Sequence, residues 1–142
     1  MKQYCEGTLG LCRTLLSVLS ENLGLAPDYL NDASGCEDSI GICVRANYYP
    51  VCPQPELTYG LSPHSDPGGI TVILQDDVVG LQVRKNDYWV PVRPVANALT
   101  INLGDQMEVS DSISTVDIKL LRSVDCHGHS ASRIVPFFAR RY

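Results

Sequence analysis

Apolar positions near the start of the chain recur with a helical period. In residues 2–25, Leu9, Cys12, Leu15, Leu16, Leu19 and Leu23 fall on one face of a helix, and Gly24 followed by Pro27 supplies the stop. "PDYLNDA" reads as a second short turn of helix and "SGCEDSIG" as a loop. From Ile42 the period shortens to that of strands. "ICVRANYY", "LTYGLS", "GITVILQ", "GLQVRK", "YWVPV" and "ALTINLG" are each bounded by Pro, Gly, Asn or Asp. "LQVRKNDYWVPV" has the form of a hairpin turning at Asn86-Asp87. Many short strands after one helix predict a β-sandwich or jelly roll rather than a parallel sheet. After "NLGDQMEV" the alternation is poor; "TVDIKLL" and "RIVPFFA" are the strand candidates there. No internal repeat or low-complexity tract interrupts the pattern.

Composition narrows the function classes. A chain of 142 residues, 44% hydrophobic and 19% charged, is long enough for one domain with a real core. No apolar run is long enough to span a bilayer. The formal net charge of −5 leaves no basic stripe to neutralise phosphates, which argues against a nucleic-acid partner. "ARRY" at the end is the one locally basic stretch and reads as a solvated tail. Cys5, Cys12, Cys36, Cys43, Cys52 and Cys126 form no C-x-x-C pair. Their even count allows a disulfide framework, but at this length reduced thiols are the default. The polar N-terminus "MKQYCEGTLG" lacks the apolar core of a signal peptide, so a cytoplasmic location is expected.

"GLSPHSDPGG" raises the question of chemistry. In His64-Ser65-Asp66, alternate residues of an extended chain share a face, so imidazole and carboxylate aim the same way. One nitrogen and one carboxylate oxygen make two-thirds of the facial triad of non-haem iron enzymes. Asp before Pro-Gly is equally an ordinary turn opener, and His64 an ordinary surface histidine.

The surroundings of that pair bear on the choice. "VRANYYPVCPQPELTYGLSPHSDPGGITVILQDDVVGLQVRKNDYWVPV" closely resembles the plant iron(II)- and 2-oxoglutarate-dependent dioxygenases, among them flavonol synthase, anthocyanidin synthase and relatives acting on hormones and alkaloids. The resemblance runs from about Val44 to Val109 and rests on "NYYP-C-PQPEL", "HSDPGG-T-ILQD", "GLQV" and "N-GD" as a set. It implies a mainly β fold with a jelly-roll (double-stranded β-helix) core, incomplete here, and an N-terminal helix. Residues 1–40 would be a helical lead-in and 41–142 the dioxygenase domain, with 110–142 divergent. The implied cofactors are Fe(II) and the co-substrate 2-oxoglutarate, with ascorbate as a further candidate. The implied partners are O₂ and a small organic substrate, a plant secondary metabolite such as a flavonoid, handled by a monomer. His64 and Asp66 match the first two iron ligands, Tyr49 the tyrosine that contacts the 2-oxoglutarate carboxylate, and Asn47 its neighbour in that pocket. Trp89 and the PQPEL turn are assigned structural roles.

Three departures from the family pattern stand out. Counting on from Asp66 to the family's third ligand, a histidine, lands on Leu120, which cannot bind iron. The nearest textual match, "RSVDCHGH" at residues 122–129, puts Cys126 in the histidine's place with His127 and His129 just beyond; His127 is the expected ligand. The family holds the far carboxylate of 2-oxoglutarate with Arg-x-Ser, whose guanidinium offers two parallel donors. "SRIVPFF" keeps Arg133 but has Val135 where the serine belongs, so Arg133 is either a displaced clamp or a surface arginine. The chain is also shorter than the family at both ends, which together with the altered stretch reads as truncation. Two functions therefore compete: an iron- and 2-oxoglutarate-dependent oxygenase, and a non-catalytic family member whose metal site is incomplete. A jelly roll that merely binds a ligand is the third class.

Overall fold

A computed structural model describes residues 1–34, 41–107, 118–120 and 132–140. The chain divides into two compact units, one built on Met1–Ile42 and the other on Cys43–Phe138.

In the first unit, helix α1 (Lys2–Asn22) is followed by the short α2 (Tyr29–Ala33). The buried row of α1 is Thr8, Cys12, Leu16 and Ser20, each one turn beyond the last. The periodicity had placed Cys12 and Leu16 correctly but missed Thr8 and Ser20, because both are polar. Leu9, Leu15, Leu19 and Leu23 flank the row half-buried. Thr8 and Ser20 can be buried because each hydroxyl donates back along the helix, to Tyr4 O at 2.8 Å and Leu16 O at 2.9 Å. Ser20 Oγ also accepts the Leu30 N–H at 3.1 Å, which ties α2 to α1. Gly24, at φ 72°, ends the first helix, and Leu25 N–H donates back to Ser20 O at 2.9 Å.

The second unit is two antiparallel sheets. The strands are β1 (Gly41–Val44), β2 (Asn47–Tyr49), β3 (Ile70–Gln75), β4 (Leu81–Lys85), β5 (Tyr88–Pro91), β6 (Thr100–Leu103), β7 (Ile118–Leu120) and β8 (Ser132–Arg140), the first two residues of β1 and the last two of β8 being counted with the first unit. One sheet runs β1-β8-β3-β6 with β2 also paired to β8, and the other runs β5-β4-β7. This is the mainly β, jelly-roll architecture expected, with its N-terminal helix.

Two strand expectations change. "ICVRANYY" is two strands, interrupted at Arg45-Ala46, and both neighbour β8. "LTYGLS" is no strand: Pro55–Leu57 form a 3-10 turn, and the segment after it has no regular structure. Leu57 is 73% exposed and Tyr59 58%, so of this segment's apolar residues only Leu61 reaches the core, too few for an alternating strand face. The hairpin forms as expected. Asn86 (φ 49°) and Asp87 (φ 66°) both take the left-handed conformation that a two-residue turn demands and that their short polar side chains tolerate. The weakly patterned "RIVPFFA" falls within β8, which pairs with both β2 and β3.

The core sits on β3, where Ile70, Thr71, Val72 and Ile73 are all buried, so both faces of this strand are covered. Ile73 and Leu81 meet from the two sheets, and Tyr49, Leu61 and Val92 pack against them. Burying Ile73 and Leu81 is worth about 1.5–3 kcal/mol each.

Candidate metal centre

His64 and Asp66 lie in the segment that leads into β3. The His64 imidazole faces the Ser62 carbonyl, Nδ1 to O 2.8 Å. A carbonyl can only accept, so Nδ1 carries the proton, and in the neutral ring Nε2 keeps its lone pair. Nε2 stands 3.5 Å from Asp66 Oδ1, too far for a good hydrogen bond. The two side chains thus present a nitrogen and an oxygen donor side by side. His64 remains about one-third exposed, whereas Asp66 is 3% exposed.

A buried carboxylate needs donors, and Asp66 takes one from a distant strand. Asn102 Nδ2 on β6 donates to Asp66 Oδ2 at 2.9 Å. The main chain beyond Asn102 holds the same loop at three points. Asp105 N–H donates to Asp66 O at 2.7 Å, Gly104 N–H to Gly69 O at 2.9 Å, and Gln106 N–H to Gly68 O at 3.2 Å. Ser65 Oγ in turn donates to Asp105 Oδ2 at 2.9 Å. Gly104 is a matter of space: a Cβ there would lie 2.6 Å from Asp66 O and nearer still to Gly68 O. "N-GD" was legible as a motif, but its task is visible only here: Asn102 orients the carboxylate while Gly104 and Asp105 pin the loop that carries it. The missed signal was the motif's pairing of one amide with a side-chainless residue next to an acid.

Asn47 and Tyr49 share a face of β2 by alternation, and Asn47 hydrogen-bonds to the Tyr49 side chain. Burial pushes the Tyr49 phenol above its ordinary value, against the smaller downward pulls of the Asn47 hydrogen bond and the Arg45 charge. Tyr49 packs on the same Ile73–Leu81 cluster as Leu61, three residues before His64. Ile73 and Thr71 share a face of β3, and Thr71 is the register partner of Asn102. One sheet face therefore carries both the Asn102 that holds Asp66 and the residues against which Tyr49 rests. The register of β8 places Arg133 opposite Tyr48 and Ser132 opposite Tyr49. Cys126, His127 and His129 lie outside the described residues. Among the described residues, no three His, Cys, Asp or Glu side chains gather as a metal cluster.

Residues 41–116 match the 2OG-Fe(II) oxygenase superfamily. The chain belongs to that family. Its relatives include jasmonate-induced oxygenase 3 of Arabidopsis thaliana, 50% identical over 80% of this chain and 32% of that protein. DMR6-LIKE OXYGENASE 2 of the same plant is 50% identical over 75% of this chain and 30% of its own length. The crystal structure of JOX2 in complex with 2OG, Fe and JA superposes with a TM-score of 0.89 at 43% identity, over 99% of this chain and 41% of that one. The chain thus spans about a third of the length of the curated relatives it matches. The family assignment stands, and within it the matches bring out jasmonate-induced and DMR6-like oxygenases, not flavonol synthase or anthocyanidin synthase specifically.

Oxygenases of this family work with Fe(II) and 2-oxoglutarate. The residues present fit two ligands of such an iron. One imidazole nitrogen and one carboxylate oxygen suit ferrous iron. Each is oriented from behind, His64 by the Ser62 carbonyl and Asp66 by the Asn102 amide. Asp66 Oδ1 faces His64 Nε2 at 3.5 Å, while Oδ2 takes the Asn102 amide. The chain has no helix, among the described residues, long and apolar enough to cross a membrane. Cys5, Cys12, Cys43 and Cys52 are free thiols.

Proposed function

We propose that this protein uses Fe(II), 2-oxoglutarate and O₂ to hydroxylate or desaturate a small organic metabolite. The observation that carries the proposal is the His64–Asp66 pair. Its two donors stand side by side, one buried and fixed by Asn102, with the imidazole tautomer set by Ser62. His64 Nε2 and Asp66 Oδ1 hold the metal, and His127 is assigned as third ligand. When bound, ferrous iron couples oxygen activation to the decarboxylation of 2-oxoglutarate into succinate and CO₂. The chain's own residues bind and orient. Tyr49, a neutral phenol at physiological pH, donates its O–H to one carboxylate of 2-oxoglutarate, with Asn47 beside it. Arg133 is assigned to the other carboxylate, as a bidentate donor. Because JOX2 binds JA, JA is the first organic substrate to try, with plant secondary metabolites such as flavonoids next. Monomeric action in the cytoplasm goes with this reading, and sedimentation tests the first part of it.

The test is anaerobic Fe(II) binding with 2-oxoglutarate, followed by the visible charge-transfer band of the metal–co-substrate chelate. Wild type is compared with His64→Ala, Asp66→Ala, His127→Ala and His129→Ala. The band is expected in wild type and absent in His64→Ala, Asp66→Ala and one of the two later variants, which names the third ligand. A folded wild-type protein with no band would overturn the oxygenase proposal and leave a non-catalytic family member with an incomplete site.

A further inference from the structure

Of the three buried polar atoms in the quoted motifs that no described residue pairs, Gln75 Oε1 lies at the far end of β3, and the other two stand together beside the metal site. One is the hydroxyl of Thr71, the threonine of "HSDPGG-T-ILQD"; the other is the carbonyl end of Asn102, the asparagine of "N-GD". Thr71 is 1% exposed, the second residue of β3, beside the buried apolar Ile70, Val72 and Ile73. A valine would fill the same space without bringing a hydroxyl into the core, so the hydroxyl calls for a purpose. Its Oγ1 is buried and, among the described residues, lacks a hydrogen-bond partner. The same holds for Asn102 Oδ1, while the other end of that amide donates to Asp66.

These two orphaned atoms belong to directly opposed residues. Thr71 on β3 is the register partner of Asn102 on β6, so both side chains rise from the same sheet face with Cβ atoms about 4.5–5.5 Å apart. They do not bond to each other. A carbonyl oxygen accepts only, and a hydroxyl can both donate and accept. One water between them can donate to Asn102 Oδ1 and take the proton of the Thr71 hydroxyl, satisfying both atoms at once.

We propose that Thr71 and Asn102 hold one buried water between them, and that this water makes Thr71 a positioning residue for the iron ligand Asp66. The consequence for iron rests on the metal-site reading above; the water itself does not. The chain of action is short. The water secures the carbonyl end of the Asn102 amide, the secured amide keeps its N–H₂ end on Asp66 Oδ2, and Oδ1 stays aimed toward His64 Nε2. Asn102 Nδ2 holds Asp66 by one bond and reaches Leu103 O only at 3.4 Å; with the carbonyl end tethered as well, the amide cannot swing away. The same coupling accounts for why a threonine stands among buried aliphatic residues at the start of β3.

Two measurements test this. A crystal structure of the whole protein is expected to show one solvent molecule within hydrogen-bond distance of both Thr71 Oγ1 and Asn102 Oδ1. A dry contact, or a direct Thr71–Asn102 bond, overturns the proposal. The second measurement is Co(II) affinity of the metal-free protein, read from visible d–d absorption. Thr71→Val, which keeps the shape and removes the hydroxyl, is expected to weaken Co(II) about 3–10-fold, below the 10–100-fold range of a direct outer partner. Thr71→Ser is expected to restore affinity to within about twofold, which a purely packing role would not. In an Asn102→Ala background Thr71→Val is expected to have no further effect. Unchanged affinity in Thr71→Val, or the same loss in both backgrounds, overturns the proposal. If wild type takes up no Co(II), the metal-site reading fails, and the crystal structure alone decides the water.

Discussion

Gly104→Ala puts one methyl group where the structure has no room for it. The added Cβ would stand 2.6 Å from Asp66 O, closer to Gly68 O, and 2.9 Å from Gly68 C, all main-chain atoms that no rotamer change can move aside. An ordinary carbon contact needs about 3.5 Å, so the Asp66–Gly69 loop and the Gly104–Gln106 turn must part by on the order of 1 Å. That opening stretches three hydrogen bonds: Asp105 to Asp66 at 2.7 Å, Gly104 to Gly69 at 2.9 Å, and Gln106 to Gly68 at 3.2 Å. Losing two of them costs about 2 kcal/mol. Overpacking adds roughly 1–3 kcal/mol, and the stiffer unfolded chain of an alanine variant returns about 0.4–1 kcal/mol. The expected net loss is about 2–4 kcal/mol, a large share of the ordinary stability of a domain yet short of unfolding most of them. Asp66 moves with its loop, so divalent-metal affinity is expected to fall about 10–100-fold as well. Urea unfolding of the metal-free protein measures the first effect and Co(II) titration the second. Gly69→Ala is the control, because among the described residues its methyl would meet only Met107 Sδ, at an ordinary 3.8 Å. Gly69→Ala is expected to unfold within about 1 kcal/mol of wild type. If Gly104→Ala matched it in stability and metal affinity, the account of a loop pinned through Gly104 would be refuted.

Asn102→Ala removes the amide that faces Asp66 Oδ2, and Co(II) affinity is expected to fall about 10–100-fold with the fold retained by circular dichroism. Tyr49 gives a pH prediction. Burial holds its phenol above the ordinary value, so its contribution to stability is complete below pH about 10 and is lost as pH rises through the raised value. Difference absorbance of wild type against Tyr49→Phe should therefore show one late-ionising tyrosine. Asn47→Ala should push that ionisation later still, because the Asn47 hydrogen bond lowers it. Ser20→Ala leaves the Leu30 N–H without its acceptor in a buried place and is expected to cost about 1–3 kcal/mol by urea unfolding.

Local pattern was enough wherever the determining interactions are local. The 3.6-residue period drew α1, and Gly24 marked its end, because a helix satisfies its main chain within itself. Asn86-Asp87 marked the hairpin, because the turn's left-handed conformations select short polar residues. His64 and Asp66 could be paired by spacing, because alternate residues of an extended chain share a face. Even the family was legible from the motifs that cluster around them. Only the tertiary structure decided the rest. Thr8 and Ser20 enter the buried row of α1 through hydrogen bonds that no apolar period registers. Strand β8 takes its place between β1 and β3 by pairing with segments some sixty to ninety residues upstream, and register of that kind leaves little trace in alternation. The backing of Asp66 by Asn102, Gly104 and Asp105 is of the same kind. Those residues lie 36 or more positions further along the chain, and only the pairing of β3 with β6 brings the amide to the carboxylate. Residue types name the atoms that can bind a metal; whether those atoms are held still depends on strands that meet only when the chain has folded.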